Sequence, residues 1–158
     1  MVLVAGTPAP EFRLVKGDFE EFTQASLAGQ GTVLVFYPFA FSPVCTDQLQ
    51  LYEPMVAELR TNGIELYAVS CDAPQSQAAF KEKLAVSSEQ LSDFEPKGAA
   101  SGAFGVYHPG GFSQRALVMI DSEGIIRWSY EAPSPGDLPS PELLREGLQA
   151  AFGLALAA

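Results

Sequence analysis

The sequence predicts an α/β fold, a mixed central β-sheet with helices on both faces, and three observations carry that prediction. Residues 32–37 and 64–70 are strand-length runs too apolar for a sheet with a wet face, and a helical pattern fills the stretch between them. Strands joined through a helix lie parallel, as a right-handed crossover unit. Residues 115–121 and 125–130 instead flank Ser122-Glu123-Gly124, a tight-turn sequence, and form an antiparallel hairpin. A last segment repeats Leu143, Leu144, Leu148 and Phe152 at helical spacing and covers a sheet face.

In chain order, Gly6, Pro8 and Pro10 punctuate an extended arm. Phe12, Leu14 and residues 19–22 follow as short edge strands or a hairpin around Lys16-Gly17-Asp18. Residues 26–31 turn the chain into the central strand, which Pro38 ends because a ring without an N–H cannot continue a ladder. A helix then starts with Ser42 as N-cap, Pro43 at the first helical position and Cys45 at the third. It runs to about residue 61 with Cys45, Leu49, Tyr52, Val56 and Leu59 facing the sheet, and Asn62-Gly63 stops it as a left-handed cap. After strand 64–70 come Cys71 and a second helix, beginning at Asp72 or Ala73 and ending near residue 84, with Gln75, Gln77 and Lys81 on its wet side. Residues 86–111 are turn-rich, with a small helix over 96–104 and a loop over 107–111, and Arg115 stands where the hairpin begins. This order is that of a thioredoxin-like fold; no glycine-rich phosphate loop follows the first strand, which argues against dinucleotide binding. No linker divides the 158 residues, so a single domain over 1–158 is expected.

Nine Lys and Arg against nineteen Asp and Glu give a net charge of -10, which repels phosphate backbones and anionic membranes, so neither nucleic acid nor membrane is an expected partner. No apolar run reaches the roughly 18 residues of a membrane span, and the opening residues lack the basic flank of a signal peptide. The expected location is cytoplasmic. Cys45 and Cys71 are the only cysteines; they form no CxxC pair and no run of metal ligands, and neither a metal nor another cofactor is expected. The solitary His108 reads as a turn or surface residue.

Cys45 lies over a helix N-terminus, where orphan N–H groups and the helix dipole both favour a thiolate over a thiol. Position alone reads equally well as a reactive thiol or as a small buried hydrophobe.

Around that cysteine the chain reads Pro38-Phe39-Ala40-Phe41-Ser42-Pro43-Val44-Cys45, and here it resembles the peroxiredoxin family, whose active-site pattern is Pro, three residues, Thr or Ser, two residues, then the reactive Cys. The resemblance continues through AVSCDAP, LSDFEPKG, FGVY and RALVMIDSEGIIRW, and is greatest to the small one-cysteine AhpE-like and bacterioferritin-comigratory-protein-like forms. It implies a thiol-dependent peroxidase acting on hydrogen peroxide and organic hydroperoxides. Cys45 would attack the O–O bond, Ser42 would hydrogen-bond the peroxide, Pro38 would shield the pocket, and Arg115 would hold the thiolate and polarise the oxygens. The residue chemistry agrees: a thiolate is a nucleophile, a guanidinium is a fixed donor fork, and the N–H groups of Val44 and Cys45 can stabilise departing charge. Ser42, however, would then have to cap the helix and contact substrate through one hydroxyl.

Two positions depart from the pattern. Gln48 stands where many members carry the Glu that orients the arginine; a neutral amide still accepts from a guanidinium. Gln50 stands where comigratory forms with an internal disulfide carry the second cysteine, so that disulfide is excluded. Cys71 remains as a resolving cysteine or a buried structural thiol. A one-cysteine cycle is the preferred reading, with a sulfenic acid reduced by an external thiol: thioredoxin, a glutaredoxin-like protein or a low-molecular-weight thiol. The resemblance also implies a homodimer, and Phe39, Phe41, Tyr107 and Phe112 in loops are its local sign. A noncatalytic interaction protein on the same scaffold is the competing reading.

Overall fold

The computed structural model describes residues 1–156; residues 157 and 158, the last two of the expected domain, lie outside the described residues. The elements are β1 (Arg13–Lys16), β2 (Glu21–Thr23), β3 (Gly31–Phe36), α1 (Pro43–Thr61), β4 (Ile64–Ser70), α2 (Pro74–Leu84), β5 (Glu89–Ser92), α3 (Ala99–Ala103), β6 (Tyr107–His108), β7 (Phe112–Ser113), β8 (Ala116–Ile120), β9 (Ile126–Glu131) and α4 (Pro141–Phe152). Seven strands form one sheet in the order β2-β1-β5-β4-β3-β8-β9, and β6 and β7 make a separate small hairpin. The architecture is thioredoxin-like, with β3, β4 and β5 parallel and β8 and β9 antiparallel to their neighbours.

The order β5-β4-β3 fixes which face the helices take. Two right-handed crossovers stepping the same way across a parallel sheet must put both helices on one side, and α1 and α2 do lie together. Val33, Val35 and Tyr37 of the β3 segment point into that layer, meeting Leu49, Tyr52 and Leu59 of α1, Phe80 of α2, and Leu144 and Leu148 of α4. The alternate residues Leu34 and Phe36 point the other way, toward Phe12, Leu14, Phe22, Leu27 and, from α3, Ala100. Both faces of β3 are therefore dry, which is why its sequence shows no polar alternation. Gly147 lets α4 approach β8 and β9: a Cβ there would stand 2.6 Å from the Trp128 ring and 2.7 Å from the Met119 methyl.

The predicted helix α1 ends as expected, with Gly63 left-handed at φ 72°. Elsewhere the structure corrects the sequence reading. Gln77, expected on the wet side of α2, is buried, because its amide donates to the Ser70 hydroxyl at 2.9 Å and the Leu91 carbonyl at 2.8 Å, joining the ends of β4 and β5. Residues 89–92, read as part of a turn-rich stretch, form β5; the sequence Glu-Gln-Leu-Ser has little strand character and is held by pairing with β4 on one side and β1 on the other. The expected loop over 107–111 is the β6–β7 hairpin. The small helix over 96–104 shortens to α3, whose second and third N–H groups, those of Ala100 and Ser101, donate to the buried Asp93 carboxylate at 3.0 and 2.7 Å. Of the two expected starts of α2, Ala73 is the N-cap, and the Asp72 carboxylate is engaged elsewhere.

Candidate active site

Pro38 leaves the sheet at the carboxyl end of β3, and the next four residues double back to start α1. The loop is pinned at both ends. The Tyr37 N–H still donates to the Val69 carbonyl at 2.9 Å, and the Ala40 N–H donates to Asp72 at 2.8 Å, while the same Asp72 oxygen accepts from Ser70 at 2.7 Å. Phe41 takes a left-handed backbone at φ 69°, a conformation that costs a β-carbon about 1 kcal/mol or more, and its ring packs on Phe80 at 5.1 Å. The tight return delivers Ser42 to the cap, where its Oγ accepts from the Cys45 N–H at 3.4 Å.

Cys45 is buried at the third helical position, against the sheet face that α1 covers. Across from it, one residue ahead of β8, stands Arg115, only 2% exposed. A buried guanidinium must have its donors satisfied, and here all three directions are. Nη2 donates to the Cys45 Sγ at 3.2 Å, Nη1 to the Gln48 Oε1 at 2.6 Å, and Nε to the Pro135 carbonyl at 2.8 Å. The cluster thus brings one buried cation to one sulfur over a helix N-terminus, the set of donors a thiolate and a departing oxygen anion need. Gln48 accepts from the guanidinium as its amide chemistry allows.

The AhpC/TSA family matches this chain over residues 5–129. The chain belongs to that family. It is an enzyme, a thiol-dependent peroxidase working through a peroxidatic cysteine. Alkyl hydroperoxide reductase E of Mycobacterium tuberculosis is 29% identical over 151 residues, which cover 94% of this chain and 98% of that one. A putative peroxiredoxin in the rubredoxin operon of Clostridium pasteurianum is 32% identical over 146 residues, covering 82% and 79%. The crystal structure of Enterococcus faecalis AhpC superposes with a TM-score of 0.80 at 24% identity, each chain covered in full, a likeness of fold.

Against this AhpC/TSA frame the second cysteine stands apart. Cys71 follows β4 at the same sheet edge as Cys45, but its Sγ lies 3.6 Å from the Ser113 hydroxyl, which in turn lies 2.7 Å from Ser101 of α3. Those partners belong to the face opposite α1. Burial pushes the Cys71 thiol up from its ordinary value, so it stays protonated. Pro38 and Cys71, with Phe39, Asp72, Phe94 and Lys97, line a cavity of about 280 Å³. His108 stacks on Phe112 at 4.2 Å and accepts from the Gly110 N–H at 2.8 Å, a turn role as expected.

The sequence reading missed the part that four groups take in this AhpC/TSA site. Tyr52 was legible only as a packing residue on the sheet face of α1, although its position four residues beyond Gln48 could have suggested contact. The carbonyls of Pro135 and Pro139 carry no side-chain signal at all. Asp72, read with Ala73 as a possible start of α2, anchors the loop before α1.

Proposed function

We propose that Cys45 is the peroxidatic cysteine, with Ser42, Pro38 and Arg115 serving it, and that the substrates are hydrogen peroxide and organic hydroperoxides. The contact of Arg115 Nη2 with Cys45 Sγ, at 3.2 Å within a buried site, carries the reading. The Cys45 thiolate attacks one peroxide oxygen; the O–O bond breaks, the sulfur keeps that oxygen as a sulfenic acid, and the other oxygen leaves with a proton as water or an alcohol. Arg115 and the N–H groups of Val44 and Cys45 stabilise the charge passing to the leaving oxygen. Ser42 can both cap and bind, because the cap uses a lone pair and leaves the hydroxyl proton free to donate to peroxide. Pro38 keeps water from the site. Because Cys45 has no exposed surface, peroxide enters when a loop over the thiol shifts.

The cycle we propose uses one cysteine. The sulfenic acid condenses with an external thiol, releasing water, and a second thiol then breaks the mixed disulfide and restores Cys45. Thioredoxin, a glutaredoxin-like protein or a low-molecular-weight thiol has the required chemistry. Placement with the small AhpE-like and Bcp-like forms is supported by the length match to alkyl hydroperoxide reductase E, and by Gln50 where an internal resolving cysteine would stand. After one equivalent of peroxide, intact-mass analysis is expected to show a gain of about 16 Da on the monomer, mapped to the Cys45 peptide, and Cys71→Ser is expected to leave turnover within about twofold. Loss of about 2 Da, with a tryptic peptide joining Cys45 to Cys71, would overturn the one-cysteine cycle.

A homodimer is supported by half-exposed Phe39, Phe41 and Tyr107 at the active-site edge, with Phe39 packed on Phe112 at 5.0 Å. Sedimentation at low micromolar concentration is expected to give a dimer that Phe41→Asp dissociates; a monomer at every concentration would count against it. We also read the chain as one domain, since β1 to β5, β8 and β9 share a single sheet. The location we propose is cytoplasmic, where free thiols such as Cys45 and Cys71 persist, and fractionation finding the native protein elsewhere would refute it. Among the described residues no helix is long and apolar enough to cross a membrane.

A further inference from the structure

Behind the guanidinium, the hydrogen bonds continue in a directed line. Arg115 Nη1 donates to Gln48 Oε1 at 2.6 Å, Gln48 Nε2 donates to the Tyr52 oxygen at 3.3 Å, and the Tyr52 O–H donates to the Pro139 carbonyl at 2.6 Å. All three side chains are buried, so no solvent competes for these partners.

A glutamine between two partners is polar in a way that a glutamate is not, because its two ends differ: one only accepts and the other only donates. Arginine only donates, so Gln48 serves it in one orientation alone. The carbonyl of Pro139 only accepts, and it takes the single proton that Tyr52 has to give. The Tyr52 oxygen is left as an acceptor and can meet Gln48 only at its NH₂ end. Burial raises the Tyr52 phenol to about 12, so that proton stays in place through the working pH range.

We infer that Tyr52 is a positioning residue for peroxide reduction: by accepting from Gln48 it holds the amide with its oxygen toward Arg115, and so holds the guanidinium on the Cys45 sulfur. This rests on the role proposed above for Cys45 and Arg115. With phenylalanine at 52, the amide loses one of the two partners that fix its orientation, and its NH₂ end is left buried without an acceptor. The amide is then held by Arg115 alone, and it holds the guanidinium on the sulfur less firmly. A glutamate at 48 needs no such selection, because either oxygen accepts from Arg115.

The two backgrounds therefore respond differently to one substitution. In the parent, Tyr52→Phe is expected to lower kcat/KM for hydrogen peroxide by about tenfold, the worth of one buried hydrogen bond, and to move thiolate formation, read by ultraviolet absorbance, to higher pH. In the Gln48→Glu background, the same substitution is expected to cost no more than about twofold. The double variant carries the same lost hydroxyl and the same unpaired Pro139 carbonyl as the single one, so structural damage would persist in it while misorientation would not. Equal loss in both backgrounds, through slower chemistry or failed folding, overturns the inference, and so does a Tyr52→Phe variant with parental rate and titration. Cys45→Ser run alongside separates the two readings: if it turns over at the parental rate, the assignment of the nucleophile has failed. If it is inactive while Tyr52→Phe is neutral, only the positioning role has failed.

Discussion

Cys45→Ser is expected to lose peroxide consumption by a factor on the order of 10⁴ or more in the presence of a thiol reductant and a metal chelator. The reason is chemical rather than structural. A serine hydroxyl does not ionise near neutral pH and is not oxidised by peroxide to a stable intermediate, so neither half of the cycle remains. Structurally the exchange is small: the sulfur's polar contact is with Arg115, and an oxygen at the same place can accept from it. The variant should unfold in one cooperative transition like its parent, as the single-domain reading expects. Parental peroxide consumption by Cys45→Ser would remove the assignment of this residue. A variant that is both inactive and unfolded would show that the thiol also carries the packing around it.

Arg115→Met comes next in size, with an expected loss of about 10²- to 10³-fold in kcat/KM, in the range for removing a buried charge-stabilising donor. Two separable effects contribute. A cation beside sulfur favours the charged form, so its removal shifts thiolate formation to higher pH. It also removes a donor to the oxygens in the transition state. The first effect fades as pH rises and the thiolate forms regardless, while the second persists; the deficit should therefore narrow, without closing, between neutral and alkaline pH. Arg115→Lys should fall between, keeping the charge but losing the fork that reaches Cys45, Gln48 and Pro135 together. A thiol titration unchanged in Arg115→Met would rule out the electrostatic part. A deficit that is the same at every pH would leave only the transition-state part.

Much of this site could be read from residue order, and the reasons are local. Ser42-Pro43 announces a helix start whatever surrounds it, and an unbroken apolar strand followed by that start puts Cys45 at a sheet edge. What escaped the reading depends on chain segments far apart in sequence. Gln77 looks like a surface residue until the ends of β4 and β5 offer its amide two partners. The strand β5 has no apolar pattern of its own and exists because β1 and β4 flank it. Tyr52 finds the acceptor for its proton only because the segment after β9 brings the carbonyl of Pro139 to it, across 87 positions of sequence.

The different polar surroundings of the two cysteines have a consequence for how oxidation is stored. Cys45 and Cys71 stand at one edge of the sheet, yet Arg115 donates to the sulfur of the first while the sulfur of the second lies against Ser113. In the one-cysteine cycle proposed above, one address receives an oxygen atom and the other takes no part. A molecule working in that way would not erase its own record of having met a peroxide. Each chain would hold one such event until something from outside collected it, and the concentration of that collector would set how long the record lasts.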